Sequence, residues 1–570
     1  MTYTGTAVSA GVVIGKVYLY KRFLPHLHDW PPVNPEADLA QYQTALDTAR
    51  QELEALKNRF EKAGDQEKAG IFGAHLEILL DEVMDEEIRE SIETKACNGP
   101  QSIQMVYEQY ATMFESLEDP IIRERAMDLR DVCFRLLRCW DGLPEQNLSA
   151  LSSPVIVVAH DLLPSDTATL DRENVLGIVT EVGGSTSHSA IIARSYEIPA
   201  VLGVGNICST LTDGQEMILD ASGGDLIVDF NDTCRAVYEK KRETVLQELA
   251  INRQYLDREA VTPDGVRIAV ELNIASAGSQ ELNRAKYTDG VGLFRSEFLY
   301  MGRKALPSEE EQFQAYRKVL MAYGNRPVTL RTLDIGGDKP LECMELPAED
   351  NPFLGNRALR LCFQRPQIFR TQLRAALRAS IYGNLWLMFP MVASIDDIRR
   401  AKRFVEEVKT ELTEEGIPFN PDMKVGIMVE VPSIALLADK AAEEVDFASI
   451  GTNDLTQYST AVDRGNPEVK HYYQTYHPAL FRLIGYVIRE FTARGKAVGV
   501  CGEMGGNPLT AAVLMGLGMR QLSMGASSLA GIKRMVVSTS CQEAEEIAKT
   551  LCDLSTAQEV EQYLLEKMKQ

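Results

Sequence analysis

A multidomain α/β protein is predicted: a small α/β domain with an inserted helical bundle, followed by a (β/α)8 TIM barrel. Three observations predict it. From Asp38 to Phe60, the residues Leu39, Tyr42, Leu46, Ala49, Leu53, Leu56 and Phe60 alternate at spacings of three and four, the pattern of one apolar helix stripe that needs a partner. From Pro154, short β-rich runs (Val155 to Ala159, Val175 to Thr180, Ala200 to Leu202, Met217 to Asp220) are separated by Gly and Ser turns. Beyond Thr262, eight apolar runs are separated mostly by helical stretches. Eight β/α units in one segment predict the barrel.

The stripe's partners are expected at Ile71 to Glu93, Ser102 to Leu117 and Ile121 to Trp140, which makes a bundle. Val12 to Tyr20 has strand character, so the bundle reads as an insertion into the α/β domain. Thr233 to Leu256 is charged, Gly-free and helical in period, as befits a connecting helix. The barrel runs are Val266 to Ile274, Val291 to Phe294, Val328 to Leu333, Leu385 to Val392, Val425 to Val431, Phe447 to Gly451, Ala497 to Val500 and Leu522 to Gly525. The expected domains are therefore 1–20 with 145–230, the insertion 21–144, the linker helix 231–260 and the barrel 261–570.

At 570 residues the chain has room for two to four domains, each with its own core. Its ten cysteines form no CxxC pair and no ligand-like cluster with histidine, which argues against structural zinc and a disulfide scaffold. The first 20 residues lack a basic stretch leading into an apolar core, and no apolar run is long enough to span a membrane. A cytoplasmic protein without membrane insertion is expected. The 59 Lys and Arg against 82 Asp and Glu leave a net charge of −23, which disfavours nucleic acid and anionic membranes and would suit a basic protein partner.

In such a barrel, catalytic groups sit where strands end. Here those positions are charged: Arg295 ends run two, Arg331 lies in run three with Asp334 at its end, Glu430 is in run five, Asn453 and Asp454 follow run six, and Cys501 ends run seven. Arg464 lies in the loop after run six. Three arginines converging with two carboxylates fit a substrate that carries a phosphate and a carboxylate, because guanidinium forks bind such oxygens bidentately. Glu430 and Asp454 are the expected magnesium (Mg2+) ligands, Asp454 also counting among the substrate-binding groups with Arg295, Arg331, Asn453 and Arg464. Taken singly, each would read as a barrel-mouth salt bridge, and Cys501 as a packed thiol; their common position favours a site, in which Cys501 would donate a proton to a carbanion-like carbon.

Of the seven histidines, His188 stands apart, in Gly183-Gly184-Ser185-Thr186-Ser187-His188-Ser189-Ala190-Ile191-Ile192-Ala193-Arg194. Glycines and hydroxyl residues lead into an apolar helix, whose N-terminus favours a negative phosphoryl group and keeps an imidazole neutral and nucleophilic.

With GGSTSHSAIIARS around His188, GLFRSEFLYMGR around Arg295, RTLDIGGDKP from Arg331, NPFLGNRALR near Arg357, GIMVEVPS around Glu430, GTNDLTQYSTAVDRGN up to Asn466 and CGEMGG from Cys501, the sequence resembles enzyme I of the phosphoenolpyruvate-dependent sugar phosphotransferase system over essentially its whole length. The resemblance implies that His188 carries the phosphoryl group on Nε2, oriented by Thr167; that Arg295, Arg331, Arg464 and Asn453 hold phosphoenolpyruvate; that Glu430 and Asp454 hold magnesium; and that Cys501 protonates the enolpyruvate to pyruvate. It also implies that the insertion docks the carrier protein HPr and that the barrel forms a homodimer; because one histidine must then meet first the barrel mouth and later the carrier, the α/β domain is expected to swing on hinges near Asn231 and Glu259. Ser185 stands where the family often has arginine, which bears on transfer rate or carrier preference. A pyruvate phosphate dikinase or phosphoenolpyruvate synthase would need a nucleotide-binding domain ahead of the histidine, and no glycine-rich phosphate loop precedes it here. A relay that had lost its chemistry would not retain the whole set of reactive residues.

Overall fold

The computed structural model describes residues 1–20, 34–62, 66–94, 97–116, 120–143, 148, 151, 153–162, 166–167, 169–171, 173–184, 187–196, 198–301, 305–336, 344, 346–347, 349–464 and 466–567. They form two compact units, Met1–Glu248 and Leu249–Gln570. Among them, no helix is long and apolar enough to cross a membrane.

In the first unit, eight strands make one mixed sheet: β1 (Thr2–Thr4), β2 (Thr6–Ser9), β3 (Val12–Tyr20), β4 (Val155–Ala159), β5 (Val175–Thr180), β6 (Ala200–Leu202), β7 (Glu216–Asp220) and β8 (Asp225–Val228). Their order is β1-β8-β7-β3-β4-β5-β6-β2, with β3 to β6 mutually parallel. Strand β4 is buried along its whole length, because both faces of the sheet are covered. Val155, Val157 and Ala159 join one apolar cluster and Ile156 and Val158 the other, the period-two alternation of a strand. The helix His188–Ser195 places Ala190 and Ala193 in the first of these clusters.

Between β3 and β4 lie five helices: α1 (Pro35–Lys62), α2 (Gln66–Leu79), α3 (Glu82–Thr94), α4 (Gly99–Ser116) and α5 (Pro120–Trp140), sharing one core. The single helix expected over Ile71 to Glu93 is two. Asp81 interrupts it, its Oδ1 accepting the Met84 amide at 3.0 Å, so a local cap wins over continuation. The connecting segment folds as the helix Asp232–Arg253, none of whose residues is buried.

The second unit closes eight parallel strands into a barrel: β9 (Ala269–Ile274), β10 (Gly290–Arg295), β11 (Pro327–Arg331), β12 (Asn384–Phe389), β13 (Lys424–Val429), β14 (Phe447–Ile450), β15 (Ala497–Val500) and β16 (Gln521–Met524). All eight apolar runs become its staves, in order.

On β9, Val270, Leu272 and Ile274 belong to the core shared with the surrounding helices, which leaves Glu271 and Asn273 on the lumen side. Gly292 makes room there, since a Cβ at that position would lie 2.7 Å from Glu271 Oε2. Burial first, then the charge of Asp289, pushes the Glu271 carboxyl up to about 8. The neutral acid is thus the form the folded barrel accepts. Its contribution is fully present below the ordinary carboxylate pKa and is lost as pH rises toward 8. Glu271→Gln should therefore gain on the wild-type chain between pH 5 and 9, by up to roughly 4 kcal/mol, measured as the difference in thermal unfolding at the two pH values.

Candidate active site

The carboxyl ends of the barrel strands bring most of the expected side chains together. Arg331, 5% exposed, closes β11. Its Nη2 pairs with Glu297 and its Nη1 lies 2.8 Å from Asp334 Oδ2. The other Asp334 oxygen accepts from Arg357 Nη2 at 2.9 Å. Arg357, 1% exposed, then approaches Asp454 Oδ1 at 3.8 Å, and Arg464 Nη2 reaches the same oxygen at 3.5 Å. Burial alone would disfavour both buried guanidinium cations, but Asp334 with Glu297 for Arg331, and Asp334 with Asp454 for Arg357, more than offsets it, and their pKa values rise. These arginines are permanently charged.

Local structure explains the placement. The helix Thr452–Thr460 starts directly after β14, so Asn453 and Asp454 occupy its first turn at the barrel mouth. Ala461, at φ 53°, ends that helix in the left-handed region, and the Arg464 amide is held by Gln457 Oε1 at 3.1 Å. Two further non-glycine residues with positive φ border the site. Met391 (φ 53°) donates its amide to Glu430 Oε1 at 2.6 Å, and Ala358 (φ 52°) follows Arg357. Such backbone strain persists only where the surroundings over-determine it.

Glu430 is fully buried. Burial first, then the charges of Asp454 and Asp334, raises its pKa, against the pull of Arg331 and Arg357. Its Oε2 and Asp454 Oδ1 are buried oxygens that accept no hydrogen bond among the described residues. Gly451 permits the close approach, because a Cβ there would lie 2.9 Å from Glu430 Oε2. Two unsatisfied carboxylate oxygens fit a hard dication. No group of three or more His, Cys, Asp or Glu suited to a metal exists among the described residues, so the remaining positions would fall to substrate and water, as magnesium prefers.

Beside this network opens a cavity of about 370 Å³ lined by Arg295, Asn453, Cys501, Asn273 and Glu503, among others. Asn453 is clamped, its Oδ1 accepting the Glu503 amide at 3.1 Å. Asn273 donates to the Cys501 carbonyl at 2.9 Å and accepts from Ser523 Oγ at 2.6 Å. Burial pushes the Cys501 thiol up to about 11, with Ser449, Arg331 and Arg295 pulling down and Glu430 pushing up. It therefore holds its proton at neutral pH.

His188 belongs to the other unit. It opens the helix His188–Ser195, whose cap, Ser187 Oγ, accepts the Ala190 amide at 3.3 Å. Ser189 Oγ donates to the Leu162 carbonyl at 3.2 Å, and Thr167 is buried in the segment that follows. Ser185 lies outside the described residues. Glu297, Arg357, Asn273 and Glu503 were given no role by the strand-end reading. Glu297 sits two residues past Arg295, a detectable signal; Arg357 comes from a loop 26 residues after Arg331, where no strand points to it.

A barrel mouth with paired carboxylates, clustered guanidinium groups and a thiol defines an enzyme handling a small phosphorylated acid. Three family models agree: the phosphoenolpyruvate-binding domain of phosphoenolpyruvate-utilising enzymes matches residues 250–541, their N-terminal domain residues 4–125, and their mobile domain residues 151–224. The phosphoenolpyruvate-protein phosphotransferase of Bacillus sp. (strain S) is 43% identical over 98% of this chain and 97% of its own, and that of Bacillus subtilis (strain 168) is 42% identical over 99% of each. The chain belongs to the phosphoenolpyruvate-protein phosphotransferase family and is an enzyme of phosphoenolpyruvate-dependent phosphotransfer. Among solved structures, a solution structure of Enzyme I (nEIt) is similar, with 39% identity, coverage of 43% of this chain and 99% of that one, and a TM-score of 0.38.

Proposed function

We propose that the chain takes the phosphoryl group of phosphoenolpyruvate onto His188 and passes it to a histidine of the carrier protein HPr, releasing pyruvate, as the first step of phosphotransferase-system sugar uptake. The observation that carries this reading is the barrel mouth, where Arg331, Arg357 and Arg464 converge on acidic groups that retain two unsatisfied carboxylate oxygens. Arg295, Arg331, Arg464 and Asn453 bind and orient the substrate's phosphate and carboxylate, so that attack by His188 is a matter of positioning and charge neutralisation. Magnesium held by Glu430 and Asp454 would neutralise charge on the substrate oxygens. Cys501, protonated at neutral pH, gives its proton to the methylene carbon of the enolpyruvate as the P–O bond breaks.

Docking of HPr is assigned to the helical insertion. At the α2–α3 corner, Leu80 and Val83 are exposed beside the acidic Asp81, Glu82 and Glu86, a surface suited to a partner with an apolar spot and basic surroundings. One ring serving two sites requires motion near Asn231 and Glu259. A homodimer formed through the barrel and a cytoplasmic location complete the proposal.

The test incubates the purified chain with labelled phosphoenolpyruvate, then with purified HPr. Labelling of the chain is expected only when magnesium is present, to be blocked by a chelator added beforehand, to resume when magnesium is restored, and the label to pass to HPr. Scattering that stays identical with and without phosphoenolpyruvate and magnesium would count against the motion.

A further inference from the structure

His160, immediately after β4, combines an exposed ring with a fixed anchor. The ring is 73% exposed, yet its Nδ1 lies 2.7 Å from Glu181 Oε2, and the Glu181 side chain is only 14% exposed. The other Glu181 oxygen accepts the Cys208 amide at 2.8 Å. Burial works against ionising this carboxyl, but the bonds from His160 and Cys208 prevail and hold it below the usual carboxylate range. An ionised carboxylate at Nδ1 fixes the proton on that nitrogen and leaves Nε2 as the uncommitted edge of the ring. No other partner of the ring occurs among the described residues.

The placement matters more than the pair itself, since an exposed ion pair contributes little stability. Strands β4 and β5 are parallel, with Ala159 opposite Thr180, so His160 and Glu181 continue that register past the carboxyl edge of the sheet. The same edge carries the start of the helix His188–Ser195. Ser189 Oγ reaches the Leu162 carbonyl at 3.2 Å and Asp161 Oδ1 at 3.4 Å. The residues just after His160 thus touch the residue just after His188. Glu181 is the titratable partner of the ring; Asp161, which Ser189 Oγ approaches, and Cys208, whose amide holds Glu181, are the titratable residues on the elements that meet here. Ligands of open parallel sheets collect at such an edge.

We propose that His160, oriented by Glu181, is a positioning residue for the phosphoryl group carried at His188, donating from Nε2–H to a phosphoryl oxygen. This rests on the reading of His188 as the phosphohistidine. A dianion arriving beside the ring favours its doubly protonated form, which makes Nε2 a donor while Nδ1 stays on Glu181. No covalent bond to His160 is formed or broken.

The experiment uses the full chain with selectively labelled histidine, its ring nitrogen signals recorded by NMR before and after phosphorylation with phosphoenolpyruvate and magnesium. Phosphorylation is expected to displace the His160 Nε2 signal while leaving the Nδ1 signal nearly in place. His160→Gln should slow phosphoryl uptake about tenfold, His160→Arg should restore it to within about twofold, and both should leave the thermal unfolding temperature unchanged. A chain that takes up phosphoryl at His188 while the His160 Nε2 signal and the His160→Gln rate stay at their starting values overturns this inference alone. A wild-type chain in which peptide mapping finds no phosphoryl on His188 overturns the underlying reading as well.

Discussion

Replacing His188 with alanine is expected to lower phosphoryl uptake from phosphoenolpyruvate to background, by roughly four orders of magnitude or more. The substitution removes the proposed nucleophile itself, so on this reading no remaining group completes the transfer. The barrel should be indifferent to it, because every group proposed to bind the substrate lies in the unit Leu249–Gln570. Affinity for an unreactive phosphoenolpyruvate analogue should therefore stay within about twofold of the wild-type value, whereas labelling disappears. Intact mass after incubation with substrate and magnesium, followed by acid treatment to release any N-linked phosphoryl, checks both halves of the expectation. Unchanged labelling in the variant would move the acceptor elsewhere.

The second large effect is expected at Arg331. Its guanidinium is wedged between Glu297 and Asp334, both almost wholly buried. Arg331→Met removes a proposed substrate ligand and strands two acids in a dry pocket, so it should cost about 3 kcal/mol or more of stability in the barrel and about a thousandfold in kcat/KM. Arg331→Lys keeps the charge but not the planar fork, and should recover more of the stability than of the activity. Arg464 provides the contrast. At 33% side-chain exposure, with its pairing to Asp454 at 3.5 Å, its replacement by methionine should raise KM while leaving the unfolding temperature nearly unmoved. Steady-state kinetics and thermal unfolding of the three variants separate binding from framework.

The barrel was legible because its staves are short, mostly apolar runs, as strands covered on both faces tend to be. Its mouth was legible for the same reason: a charged residue at the end of such a run has few places to go but the rim. That rule brings Arg295, Asn453 and Cys501 to one cavity, and Arg331, Glu430, Asp454 and Arg464 to the adjoining ion network. It fails for Arg357, which reaches the network from a loop, and for Glu271, hidden inside a run that reads as plain strand. Helical period marked the insertion, but the range Ile71 to Glu93, read as one helix, runs straight over the Asp81 cap that divides α2 from α3. Periodicity reports which face is apolar; it does not register a side chain competing for a backbone amide.

The helix Asp232–Arg253 contributes nothing to any interior, and each unit's apolar clusters are made of its own residues. Severing the polypeptide there breaks a tether without opening a core. Two separately produced fragments should each fold, one holding the proposed acceptor imidazole and the other the proposed fuel pocket, and the shortfall in their combined turnover relative to the intact chain would gauge how much of the rate is owed to the leash between them.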